Sequence, residues 1–128
     1  MMKKNLFLYI GICLFAFPAF GEDSGAVQKL PKLLDLGAHK CIPCKKMTPI
    51  LDELTREYKG VFDVEFIDVW QPENKEKAHA HGIQSIPTQI FFDATGKELW
   101  RHEGFISRKD ILKKWKQLGF KFQAVESE

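Results

Sequence analysis

The residues best suited to chemistry are two cysteines three apart, in Cys41-Ile42-Pro43-Cys44. A thiolate is a nucleophile toward disulfides, and a second thiol one helical turn away can resolve the mixed disulfide that forms. The spacing assigns attack to Cys41 and resolution to Cys44. At a helix N-terminus the first sulfur faces unpaired backbone N–H groups and the positive end of the helix dipole, which favour thiolate over thiol. Pro43 shapes a first turn without removing an intrahelical donor. The alternative is an inert staple, but a structural disulfide rarely spans so tight a loop. The third cysteine, Cys13, lies in an apolar N-terminal stretch and is read as a bystander.

Positioning these thiols takes a strand before them and a helix after them. Residues 30–36 read as a buried strand interrupted early by Pro31. Residues 42–58 place Met47, Ile50, Leu51, Leu54 and Tyr58 three and four apart, one helical face, with Pro49 expected to kink it. Residues 61–69 are strand-like. Residues 72–81 are polar and helix-favouring, opened by Pro72 and closed by Gly82. Residues 88–92 and 98–102 read as an antiparallel hairpin around the turn 93–97. Ser107 and Asp110 resemble a capping box for a last helix through Ile111, Leu112, Trp115 and Leu118. The tail after Phe122 reads as polar and frayed. The order β-α-β-α-β-β-α implies an α/β single domain, a central mixed sheet flanked by helices on both faces.

The N-terminus reads as a targeting segment. Met1-Met2-Lys3-Lys4 is a positive start, residues 5–17 are nearly all apolar, and Ala19-Phe20-Gly21 offers small residues at the cleavage positions. The uncharged run is shorter than the roughly 20 residues of a membrane span. We therefore read 1–21 as a cleaved signal peptide and 22–128 as the domain, with an uncleaved tether as the alternative. Residues 22–28 are a polar lead-in with room for a short helix. The whole chain carries a formal charge of +2, and loss of Lys3 and Lys4 leaves 17 basic against 17 acidic residues. A neutral domain has no electrostatic footprint for nucleic acid or anionic lipid. Export, periplasmic or otherwise, places the thiols in an oxidising compartment, where reduction must be driven.

Several stretches in order resemble the thioredoxin family: Cys41-Ile42-Pro43-Cys44-Lys45, Pro49-Ile50-Leu51, Phe66-Ile67-Asp68, Gly82-Ile83 through Ile86-Pro87-Thr88, and Gly104 before the last helix. The resemblance implies the thioredoxin fold. It implies that Pro87 is a cis-proline packed against the disulfide, leaving the Ile86 backbone free to pair with an extended substrate; an ordinary trans proline opening a strand is the plainer alternative. Ile42, Pro43, Ile86, Thr88 and Gly104 would then line the substrate surface. It also implies that Asp35 lies beneath the disulfide and moves the resolving thiol's proton; otherwise Asp35 is a carboxylate at an exposed strand end. No cofactor is expected beyond the redox-active Cys41–Cys44 disulfide. The implied partners are protein disulfides, apocytochrome c among them, and a membrane protein that supplies electrons to a monomeric domain.

The chain departs from the family where Lys40 and Ile42 replace the usual Trp and Gly, and where residues are added between Asp68 and Gly82. The lysine that often pairs with the buried acid is not evident around Val64-Glu65-Phe66. His39 could tune Cys41, ligate metal, or stand in a solvated loop. His79, His81 and His102 read as surface or strand residues. One Cys-x-x-Cys supplies two of the four ligands tetrahedral zinc wants, so no metal site is expected. Trp70, Trp100 and Trp115 read as packing residues, Trp70 alternatively as part of a docking surface. The leading reading is an exported protein-disulfide reductase. An exported dithiol oxidase or isomerase and a Cu(I) carrier are the alternatives; soft thiolates suit Cu(I).

Overall fold

The computed structural model describes residues 29–125; the signal-peptide reading of 1–21 and the lead-in of 22–28 lie outside them. Strand β1 (Lys32–Gly37) leads into helix α1 (Ile42–Glu57), then β2 (Asp63–Asp68), a 3-10 turn (Pro72–Asn74), α2 (Lys75–Ala80), β3 (Thr88–Phe92), β4 (Glu98–Glu103) and α3 (Arg108–Gln117). The sheet order is β2-β1-β3-β4. β1 pairs with β2 in parallel and with β3 antiparallel, and β3 with β4 antiparallel. This is the mixed sheet expected from the order of elements.

Three boundaries shift for local reasons. Pro31 has no N–H to donate, and β1 begins one residue later, though the Pro31 carbonyl still accepts from Asp63 N–H. Val61 and Phe62 spend their N–H groups on the Tyr58 carbonyl, so β2 starts at Asp63. The 72–81 segment splits because Asn74 N–H turns back to the Gln71 carbonyl, and a 3-10 turn precedes a helix of six residues.

The two sheet faces are covered unequally. Leu33 and Phe91 meet Met47, Leu51 and Leu54 of α1 and Ile111 and Trp115 of α3, with Tyr58, Phe62 and Ile106 closing the cluster. Both long helices thus share one face. On the other, Leu34, Leu36, Ile67 and Ile90 are flanked by partly buried Val69, Ile83 and Phe92. α2 borders this second face through Lys77 but buries none of its residues. α3 opens as a capping box: Ser107 Oγ accepts from Asp110 N–H at 3.1 Å and donates to the Asp110 carboxylate at 2.6 Å. The tail is tied down as far as Val125, whose N–H donates to the Glu57 carbonyl at 2.7 Å. Phe122 packs on Phe62 and Trp115, and the described residues after it, 123–125, are exposed.

Candidate active site

β1 ends at Gly37, and the chain turns through Ala38, where Cys41 N–H donates to the Ala38 carbonyl at 3.1 Å. Cys41 is the N-cap of α1, with extended backbone, and its Sγ accepts from Cys44 N–H at 3.4 Å. A sulfur in that place satisfies one of the donors a helix start leaves unpaired and sits at the positive end of the dipole. Cys41 and Cys44 form a disulfide with their Cα atoms 5.2 Å apart. They are 8% and 3% exposed, while Ile42 between them is 72% exposed. Pro43 falls in the first turn, as its missing N–H requires.

A second loop closes over the pair. Ile86 packs against Ala38, Cys41 and Cys44, and the Ile86–Pro87 peptide bond is cis, as the family resemblance implies. Pro87 and Thr88 are buried, with Thr88 Oγ1 donating to the Ser85 carbonyl at 2.7 Å. Gly104, at φ 94°, donates its N–H to the Pro87 carbonyl at 2.7 Å. That left-handed φ suits glycine. Gly104 therefore braces the Pro87 loop and presents the exposed Phe105 next to it.

Asp35 is fully buried, which removes the exposed strand-end alternative. Strand alternation puts it on the face of Leu33 and Gly37, and a Cβ built on Gly37 would lie 3.2 Å from Cys44 Sγ. Asp35 thus sits in the row just behind the resolving sulfur. Burial pushes its carboxyl up to about 6, opposed by a hydrogen bond from Gln89. Gln89 is the partner that sequence reasoning missed. It is fully buried, faces Asp35 in the β1–β3 register, and donates from Nε2 to Asp35 Oδ1 at 2.7 Å. Its signal was a lone amide inside the apolar run Thr88-Gln89-Ile90-Phe91-Phe92. Asp35 Oδ2 and Gln89 Oε1 are both buried without a partner, a penalty of about 1–3 kcal/mol each.

Asp68, at the end of β2, accepts from His39 N–H at 3.2 Å, Trp70 N–H at 3.0 Å and Gln71 Nε2 at 3.5 Å. Burial raises its carboxyl, but these donors outweigh that and hold it below the usual carboxylate value. The His39 ring packs 5.0 Å from Phe66 with its side chain largely in solvent. Trp70 is 55% exposed and Trp115 is core, while Trp100 lies under the Lys114 ammonium. His102 Nε2 lies 3.1 Å from the Phe105 carbonyl, and His81 borders a groove on the opposite face. Among the described residues no group of three or more His, Cys, Asp or Glu is arranged to hold a metal ion.

The thioredoxin family model matches residues 22–117. The chain belongs to the thioredoxin family. Among curated thioredoxins, it is 41% identical to that of Staphylococcus aureus over 85 residues, 66% of this chain and 79% of that one. It is 43% identical to the thioredoxin of Rickettsia felis over 63 residues, spanning 49% of this chain and 58% of that relative's length. Solved thioredoxin structures share the fold. The exposed lipoprotein thioredoxin of Streptococcus pneumoniae superposes with a TM-score of 0.61 at 23% identity, covering 70% of this chain and 86% of that one. Oxidised thioredoxin O2 of Arabidopsis thaliana gives 0.58 at 22% identity, covering 70% and 76%.

Proposed function

We propose that this thioredoxin-family chain is an exported thiol–disulfide oxidoreductase that works chiefly as a reductant of protein disulfides. The observation that carries this reading is the Cys41–Cys44 pair at the start of α1, in the row ahead of the buried Asp35 carboxyl, which burial pushes up to about 6. In the reduced protein the Cys41 thiolate attacks a substrate disulfide. One Cys41–substrate S–S bond forms, the substrate S–S bond breaks, and the first substrate thiolate leaves and takes a proton from water. Cys44 gives its proton to the Asp35 carboxylate, and its thiolate attacks Cys41 Sγ. The second substrate thiolate leaves and is protonated, two electrons having passed from the dithiol to the substrate.

Ile42 and Pro43, exposed beside the sulfurs, and Ile86, packed against them, serve as the docking surface, with the Ile86 backbone pairing to an extended client segment. Thr88, expected there from the resemblance, is fully buried and, like Gly104, supports the Pro87 loop from behind. The reductant direction rests on the likeness of Pro43 and Ile86-Pro87 to reducing thioredoxins. Export rests on the N-terminal pattern of Lys3, Lys4 and the apolar run after them. An exported reductant needs electrons from across the membrane, so a membrane electron carrier is the expected donor. Apocytochrome c thiols fit as clients in that compartment.

Equilibration with glutathione tests the direction: a reducing potential is expected, and a value near about −120 mV, that of a strong dithiol oxidant, would overturn it. Trapping with Cys44→Ser tests the roles. Cys41 should accumulate client mixed disulfides, and a chain in which only Cys44 traps reverses the assignment.

A further inference from the structure

We infer that Gln89 is a positioning residue for proton transfer, an amide that partners Asp35 in both of its protonation states through a closed acid–amide pair. The inference rests on the role proposed above for Asp35. Gln89 Nε2 donates to Asp35 Oδ1 at 2.7 Å, while Asp35 Oδ2 and Gln89 Oε1 are left buried and unpartnered. While the carboxyl is ionised both orphans are acceptors, and neither can satisfy the other. One proton on Oδ2 turns it into a donor, and the nearest unsatisfied acceptor on its partner is Gln89 Oε1. Two defects are thus removed by a single proton, the one that Cys44 surrenders.

Neutrality is the second part of the argument. A lysine beside Asp35 would favour the ionised carboxylate alone. An amide offers a donor to the carboxylate and an acceptor to the acid, so it stabilises each without locking either. The β2 residue in register with Asp35 is Phe66, and among the described residues no cation acts on the acid. The titratable groups facing the row are few. They are Cys44 from α1 and Cys41 at its N-cap, Asp68 two residues beyond Phe66 on the same face of β2, His102 from β4 in register beyond Gln89, and His39 from the loop beyond Phe66. α3 contributes apolar Ile111 and Trp115 to this face.

The test is the pH profile of mixed-disulfide resolution, timed after loading Cys41 with a peptide disulfide. In the unmodified protein the rate should rise through the ionisation of Asp35. In Gln89→Met the inflection should move up by about one pH unit, because a hydrogen bond to the ionised form is the stronger of the two lost. An inflection unmoved in a folded Gln89→Met protein overturns the inference. The unmodified protein provides an independent measurement. The infrared carbonyl stretch of protonated Asp35, assigned by its loss in Asp35→Asn, should lie at the hydrogen-bonded position; a free carboxyl position overturns the pairing. If Asp35→Asn leaves the resolution profile unchanged, the proton-acceptor role itself falls, whatever the infrared band shows.

Discussion

The face of the sheet beneath α1 has two ends with opposite chemistry. At one end Leu33 pairs with Phe91, and Phe91 packs against Trp115 and Trp100 with ring centroids 4.8 and 5.3 Å away. Two residues along the same strands, Asp35 pairs with Gln89, and two oxygens go unsatisfied. Strands, helices and burial are shared, so the difference lies in side-chain chemistry alone. The aromatic end stores stability. The polar end gives some of it up to keep a carboxyl that can gain and lose a proton near neutrality.

Truncation at the aromatic end should have the largest effect on folding. Phe91→Ala removes a fully buried ring and should cost about 3–5 kcal/mol in chemical denaturation, with the glutathione equilibrium unchanged. A large shift in that equilibrium would break the division between the two ends.

At the polar end the sign reverses. The Asp35 carboxyl is raised from 3.8 to about 6, so the folded protein binds that proton more tightly than the unfolded chain. Its contribution to stability is complete below pH 4 and is lost as pH rises through 6. Asp35→Asn should therefore stabilise the oxidised protein at pH 7 by about 2–3 kcal/mol and flatten its pH dependence, while slowing mixed-disulfide resolution. Equal stability of the two proteins at pH 7 would mean that the polar end gives nothing up.

The smallest effect is expected at Gly37. A Cβ there would lie 3.2 Å from both Cys44 Sγ and the Phe66 ring. Gly37→Ala should cost about 1–3 kcal/mol and shift the glutathione equilibrium, because the overcrowded atom is the resolving sulfur. Loss of stability with an unmoved equilibrium would place the strain on Phe66 alone.

Much of this was legible in the sequence because it is local. Cys41-Ile42-Pro43-Cys44, the helical spacing from Met47 to Leu54, the Ser107 cap and the hairpin turn at 93–97 are each specified within a few residues. Asp35 stood out as a carboxylate in an apolar strand. Gln89 did not, because its meaning depends on the register between β1 and β3, strands 54 positions apart in the chain at the paired residues. The same holds for Asp68, whose three donors come from two different loops. Unequal coverage of the two sheet faces also depends on packing, since a short polar helix such as α2 reads the same whether it buries a face or skirts it.

The Asp68 carboxylate has a consequence for association. By binding the backbone of His39 and of Trp70 together, it joins the loop that leads into Cys41 to the loop that follows β2. The rim beside Cys41 is therefore assembled in advance. On the proposed function, docking would forfeit little conformational entropy in this protein, and the ordering cost of the encounter would fall on the client.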